Sequence, residues 1–310
     1  MSAILFPLWE KPVLSLPRQA VCAICAAGGF IRFEIGVLLL RNLIGRHRND
    51  SPDALFDRAW RWALRFGFLF RGAALFRNGF GYPWKDILFL RLLEEMQGFG
   101  VAYMPRLRLL KRELLLQAAD SPPLILVTVH SPVDAILNRV FEECGIRWTL
   151  LAARERAAQR ARLLGLRTEV DIVERSSNTL LVLRQKLREG KLVAADVDYA
   201  RRRRNSLYCD VFMSPAMFRL AAAVNAKVLY AKTRVNGDGL VEVEFGSPAV
   251  AANECTARDH AVDFMDWLRE NQGDRRPWRI QEWSPKKKDK FRKLVLTEGL
   301  CPGRRSRACH

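Results

Sequence analysis

The chain has 310 residues, 49% of them hydrophobic and 27% charged, and its 51 Lys and Arg against 33 Asp and Glu give a formal net charge of +18. That much apolar content excludes a disordered polybasic chain and supplies a sizeable core, while the surface must be strongly basic. Anionic partners are therefore expected, and nucleic acid, anionic lipid headgroups and an acidic carrier protein all satisfy the charge equally well.

Seven cysteines, spread from Cys22 to Cys309, do not form the dense, evenly counted framework of a small secreted protein, so a reducing cytoplasm is the simpler reading. Cys22 and Cys25 make a lone C-x-x-C in an apolar, helix-like run with no second pair and no nearby histidine. A zinc or redox site needs more ligands or a strand-to-helix setting, so neither is read there.

Residues 19–40 read QAVCAICAAGGFIRFEIGVLLL, with Arg32 and Glu34 inside and Arg18 and Arg41 as flanks. A spanning helix wants roughly 20 apolar residues without such charges, so a helix lying in the membrane interface fits better than a full span. Glu10 near the start and the lack of a clear small-residue cleavage pattern argue against a removable signal. In residues 54–76, Leu55, Trp60, Ala63, Phe66 and Phe70 recur at helical spacing as a buried stripe, beside Arg58, Arg61, Arg65 and Arg71. Two readings are open: a core-facing helix with a solvated basic edge, or a helix against lipid whose arginines snorkel.

After Pro122 and Pro123 short apolar runs alternate with helical patterns. Strands are expected at 124–129, 148–153, 170–174, 192–198, 227–235 and 240–245, and helices at 133–144, 154–164, 177–189 and 215–224. The alternation predicts an α/β fold with a mixed, largely parallel sheet flanked by helices, and an antiparallel pair around the turn Asn236-Gly237-Asp238-Gly239. The division that follows is an N-terminal helical, membrane-associating segment at 1–118, an α/β core at 119–285, and a basic tail at 286–310 that opens with KKKDKFRK. That tail is a solvated basic helix, an attractor of anionic lipid or an acidic carrier, or both.

The end of the first strand of the core, LILVTVHSPVDA, is the most informative stretch. His130 there leaves the sheet at the carboxyl end of a strand, where open α/β folds place their ligands. Asp134 follows four residues later, and if the turn is helical it shares a face with the imidazole and can hold its second nitrogen, as a general base requires. Asp134 is equally suited to be a carboxylate at a helix N-terminus. His47, His260 and His310 read as surface histidines.

In residues 195–235, ADVDYARRRRNSLYCDVFMSPAMFRLAAAVNAKVLYAKTRV, the chain resembles the lauroyl and myristoyl acyltransferases of lipid A biosynthesis, within the lysophospholipid acyltransferase superfamily. The resemblance runs in order through the strand ending in His130, the segment 178–190, Asp196-Val197-Asp198-Tyr199 with the arginines after it, the strand 226–230, and the ending Pro277-Trp278-Arg279-Ile280-Gln281-Glu282-Trp283; it covers residues 120–285. It implies transfer of a fatty acyl group from acyl carrier protein, or a related thioester, to a hydroxyl of a lipid A-like or other lipid acceptor. The place implied is the cytoplasmic face of a bacterial inner membrane, with the N-terminal segment as a peripheral contact or single anchor. His130 and Asp134 would be catalytic; Arg201, Arg202, Arg203, Arg204 and Asp198 would bind substrate; no metal, cofactor or nucleic acid is expected.

The arginines suit phosphate, since a guanidinium offers paired donors to it, or else they form a solvated loop. Asp196 and Asp198 read as structural partners of those arginines rather than as participants in the chemistry. One departure stands out. The family has four residues between its histidine and its acid, whereas three separate His130 from Asp134, and Ala135 occupies the matching position. The departure leaves room for transfer of a different group, such as an aminoacyl group, or for a catalytically inert membrane scaffold; a basic nucleic-acid binder is the rival from another class.

Overall fold

The computed structural model describes residues 18–71, 82–153, 171–174, 176–202, 209–248, 257–272 and 278–280. The helix expected at 154–164, Arg203, Arg204, His310 and the basic tail lie outside them. In chain order the elements are helices α1 (Arg18–Arg46), α2 (Pro52–Arg65), α3 (Gly67–Phe70) and α4 (Trp84–Gly98), strand β1 (Leu107–Leu110), α5 (Arg112–Ala119), β2 (Leu124–Thr128), α6 (Ile136–Glu143), β3 (Trp148–Leu151) and β4 (Asp171–Val173). There follow α7 (Thr179–Arg188), β5 (Leu192–Asp196), β6 (Asp198–Arg202), β7 (Cys209–Met213), α8 (Ala216–Val224), β8 (Lys227–Val235), β9 (Val241–Gly246), α9 (Ala257–Gln272) and β10 (Trp278–Ile280).

Seven strands form one sheet in the order β1-β9-β8-β2-β5-β3-β4. From β8 to β4 all neighbours are parallel, whereas β9 folds back antiparallel on β8 across the Asn236 to Gly239 turn, and β1 pairs parallel with β9. The mixed, largely parallel α/β sheet read from the sequence is therefore present, and so is its one antiparallel hairpin. Three short strands, β10-β7-β6, make a second sheet that the sequence reading did not separate. The expected strand 192–198 ends at Asp196, and β6 begins at Asp198.

Every side chain of β2 is buried, as a central parallel strand covered on both faces must be. Its alternating residues enter two cores. Leu124 and Leu126 face a core shared with α1, α2, α4 and α6, while Ile125 and Val127 face one built with α7, α8 and α9. The N-terminal helices thus cover one face of the sheet, and β1, inside the stretch 1–118 expected to be helical, is an edge strand of that sheet. Periodicity concealed β1 because LRLL is four residues long and only partly buried.

In α2, Leu55, Ala59, Trp60 and Ala63 are buried while Arg58, Arg61 and Arg65 are exposed, which makes it the core-facing helix with a solvated basic edge. The helix expected over 54–76 breaks at Phe66, which is only partly buried, and resumes as the short α3. Helix α1 buries Phe33, Val37, Leu40 and Ile44 but leaves Phe30, Ile31, Ile35, Leu38 and Leu39 exposed, so it is apolar on both sides. Among the described residues, no helix is long and apolar enough to cross a membrane. Cys22 and Cys25 fall within α1.

The hairpin is clamped by the N-terminal helices. Trp60 Nε1 donates to the carbonyl of Gly237 at 2.9 Å, and the buried carboxylate of Asp86 accepts from the Val235 N–H at 2.8 Å. Gly239 has φ +76, and a Cβ there would lie 2.8 Å from the Phe56 ring and 3.1 Å from Trp60. Backbone conformation and close approach both demand glycine. Gly239→Ala is expected to lower stability by about 2–4 kcal/mol, whereas the neighbouring Gly237→Ala changes it by less than about 1 kcal/mol. Urea midpoints of the two variants check this.

Candidate active site

Parallel pairing of β2 with β5 places Thr128 opposite Asp196. The ladder continues one step past the strands, where Val197 N–H donates to the Thr128 carbonyl at 2.9 Å. Two residues farther along each chain, His130 and Asp198 therefore meet at the carboxyl edge of the sheet. Oδ1 of Asp198 accepts from the main-chain N–H of His130 at 2.7 Å and lies 2.8 Å from its Nδ1. Asp198 is only 1% exposed. An ionised carboxylate only accepts, so Nδ1 carries the hydrogen and the neutral ring offers Nε2 as its base. Asp196 Oδ2 lies 3.5 Å from that Nε2.

Burial of the imidazole opposes its protonation. The charge of Asp196, the hydrogen bond and charge of Asp198, and the charge of Asp134 outweigh it and push the His130 pKa up to about 9. At neutral pH the ring is mostly an imidazolium held among carboxylates.

His130 borders a cavity of about 450 Å³, in the size range of small-ligand sites. Asp134, Glu174 and Asp196 line it with His130, and Leu137, Phe141, Leu150 and Leu151 give it apolar walls. Ala135 also lies on the cavity wall.

Asp134 lines the cavity and contributes charge, but the place on Nδ1 expected for it is held by Asp198. The reason is local winding. Residues 132–135 form a turn, and the amides of Asp134, Ile136, Leu137 and Asn138 bond three residues back, to Ser131, Val133, Asp134 and Ala135. At about three residues per turn, positions four apart no longer share a face. Asp196 and Asp198, read from the sequence as structural partners of the arginines with Asp198 also among the substrate-binding residues, both contact the imidazole. Arg201 and Arg202 continue β6, the strand that opens with Asp198.

His260 is another correction. It is 3% exposed, its ring stacked on Phe218 at 6.1 Å, because its face of α9 packs against α8. His47 lies 3.5 Å from Asp50 near the surface. Sequence reasoning also missed Asn138 and Glu174 on the cavity wall, for which no motif gave a signal. Among the described residues, no group of three or more His, Cys, Asp and Glu is placed to hold a metal ion. No protein-family model matches the chain, and no curated protein matches it.

What the pair can do chemically is accept a proton at Nε2 from a hydroxyl in the cavity, with Asp198 holding the ring and balancing its charge. The same charges link site and stability. Because the folded-state pKa of about 9 lies above the ordinary 6.5, protonation of His130 favours the folded protein. That contribution, on the order of 3 kcal/mol, is complete below about pH 6.5 and is lost as pH rises through about 9. The stability difference between the wild type and His130→Gln, measured by urea unfolding across this window, is expected to shrink with rising pH.

Proposed function

We propose that this protein is a membrane-associated acyltransferase, moving a fatty acyl group from acyl carrier protein or a related thioester to a hydroxyl of a lipid A-like or other lipid acceptor. The observation that carries the proposal is the Asp198-held imidazole of His130 on an apolar-walled cavity at the carboxyl edge of the sheet. Nε2 of neutral His130 takes the proton of the acceptor hydroxyl as its oxygen attacks the thioester carbonyl. The C–O bond forms, the C–S bond breaks, and the departing sulfur takes the proton back from the imidazolium. Asp198 is a positioning residue, and Asp134 and Asp196 make the base stronger but scarcer. With a pKa of about 9, only about 1% of the ring is neutral at pH 7.

Supporting features lie outside the cavity. The net charge of +18 suits an acidic carrier and anionic lipid. The exposed Phe30, Ile31, Ile35, Leu38 and Leu39 of α1 suit a helix lying in the lipid interface at the cytoplasmic face of a bacterial inner membrane. Arg201, Arg202, Arg203 and Arg204 are the proposed phosphate-binding set. One observation favours a second reading. Carboxylates of Asp134, Glu174 and Asp196 on the cavity suit the ammonium of an aminoacyl group.

Lipid mass spectrometry on cells with and without the protein tests the proposal. A lipid heavier by one fatty acyl chain is expected with the wild type, and a smaller increment would point to the aminoacyl reading. His130→Ala should reduce the product by about 10²–10⁴-fold. No lipid change, or a product that survives His130→Ala, would sink the catalytic assignment and leave a scaffold or a nucleic-acid binder.

Rates of the purified enzyme should climb with pH toward about 9, because the reacting form is the neutral ring. Asp198→Asn and Asp134→Ala each remove a carboxylate that holds the proton, so both should move the rising limb to lower pH. Asp198→Asn should also lower the plateau rate by about tenfold or more, since ring orientation is lost. An unmoved limb in both variants would refute this account of the base.

A further inference from the structure

Asn138 is 4% exposed and sits on α6 as part of the wall of the cavity beside His130. Its side-chain Oδ1 accepts a hydrogen bond from Trp148 Nε1 at 3.2 Å. An indole N–H only donates, so the amide oxygen must face Trp148 and the two N–H donors of Nδ2 must turn the other way. Among the described residues, Asn138 has no other side-chain hydrogen bond. Trp148 is itself held, its ring 5.4 Å from that of Phe141, so the amide is locked at its oxygen end and cannot flip without orphaning the indole. Leu137, Phe141, Leu150 and Ala194 line the same cavity with apolar surface. Asn138 follows Asp134 by four residues along the chain that bounds the cavity.

We infer that the Asn138 amide is a specificity device, and that the cavity takes an acyl chain bearing an oxygen substituent, a hydroxyl, rather than a plain hydrocarbon chain. The inference rests on the acyltransferase reading and names the class of its donor chain. A plain chain filling the cavity would displace water from Nδ2 and leave two buried donors unmet, which costs affinity. A hydroxyl oxygen on the chain accepts from Nδ2 and removes that cost. Asymmetry of this kind makes a site built around a fixed donor reject the analogue lacking the acceptor.

Binding tests the inference without requiring turnover. Methyl dodecanoate and its positional monohydroxy derivatives are titrated calorimetrically into the full-length protein in dilute non-ionic detergent; as neutral esters they avoid repulsion from Asp134, Glu174 and Asp196. At least one hydroxy ester is expected to bind about tenfold tighter than the plain ester. That preference should vanish in Asn138→Leu, where the plain ester binds as well as or better than before. Trp148→Phe keeps a ring against Phe141 but frees Oδ1, and should weaken the preference, so the result does not hang on one variant.

A plain ester that binds as tightly as every hydroxy ester, a preference that survives Asn138→Leu, or no binding of any ester would overturn the inference. Asn138-dependent binding of pantetheine with no preference among the esters would also overturn it, assigning the amide to the carrier's arm. Failure of the transferase reading looks different: the lipid pattern is then indifferent to His130→Ala while the esters still bind selectively.

Discussion

Oδ1 of Asp198 accepts from the His130 main chain and lies within hydrogen-bonding distance of its ring, so one carboxylate oxygen sets both where the residue sits and how its imidazole is turned. The contact depends on register. Had β2 and β5 slipped by one residue, Val197 would face the imidazole and both aspartates would point elsewhere. The register in turn depends on the two cores, because each accepts only alternate residues of β2 and β5. Leu124, Leu126, Leu192 and Ala194 lie on one side, and Ile125, Val127, Val193 and Ala195 on the other. The geometry of the site is therefore a consequence of sandwiching an apolar sheet between two helical layers.

The electrostatic character of the site follows from the same arrangement. Asp196 and Asp198 arrive from β5 and the start of β6, Asp134 from the turn before α6, and all three act on one ring. Carboxylates converging from separate elements overcome the burial that would otherwise keep the imidazole neutral. In the proposed reaction this trades the abundance of the base for its strength, which fits a step in which a weakly acidic hydroxyl must lose its proton.

Beyond the site, the N-terminal helices complete the fold. Their stacked aromatic core, with Phe56 against Tyr103 at 4.2 Å and Phe89 edge-on to Phe56 at 5.5 Å, reaches the hairpin through Trp60 and the Val235 amide through Asp86. The same core continues past residue 118 into β2, β8 and β9. The exposed apolar side of α1 belongs to this layer, whose buried side packs in the same core as the sheet that carries His130.

Sequence by itself determined the layering. Apolar runs of strand length between helical periods specify an α/β sheet whatever their order, and the Asn236 to Gly239 turn specifies its hairpin, because hydrophobic period and turn chemistry are local properties. It also singled out His130, since a histidine ending an apolar strand is visible without any knowledge of neighbours. What only the tertiary structure decided is which acid holds that histidine's ring. Asp134 is near in sequence, but the tight turn carries it off the shared face; Asp198 is 68 residues away and arrives because β2 and β5 lie side by side in parallel. The burial of His260, the donor of Asn138 on the cavity wall and the edge strand β1 were hidden for the same reason. Each depends on contacts between elements distant along the chain, and nothing in local residue order records those contacts.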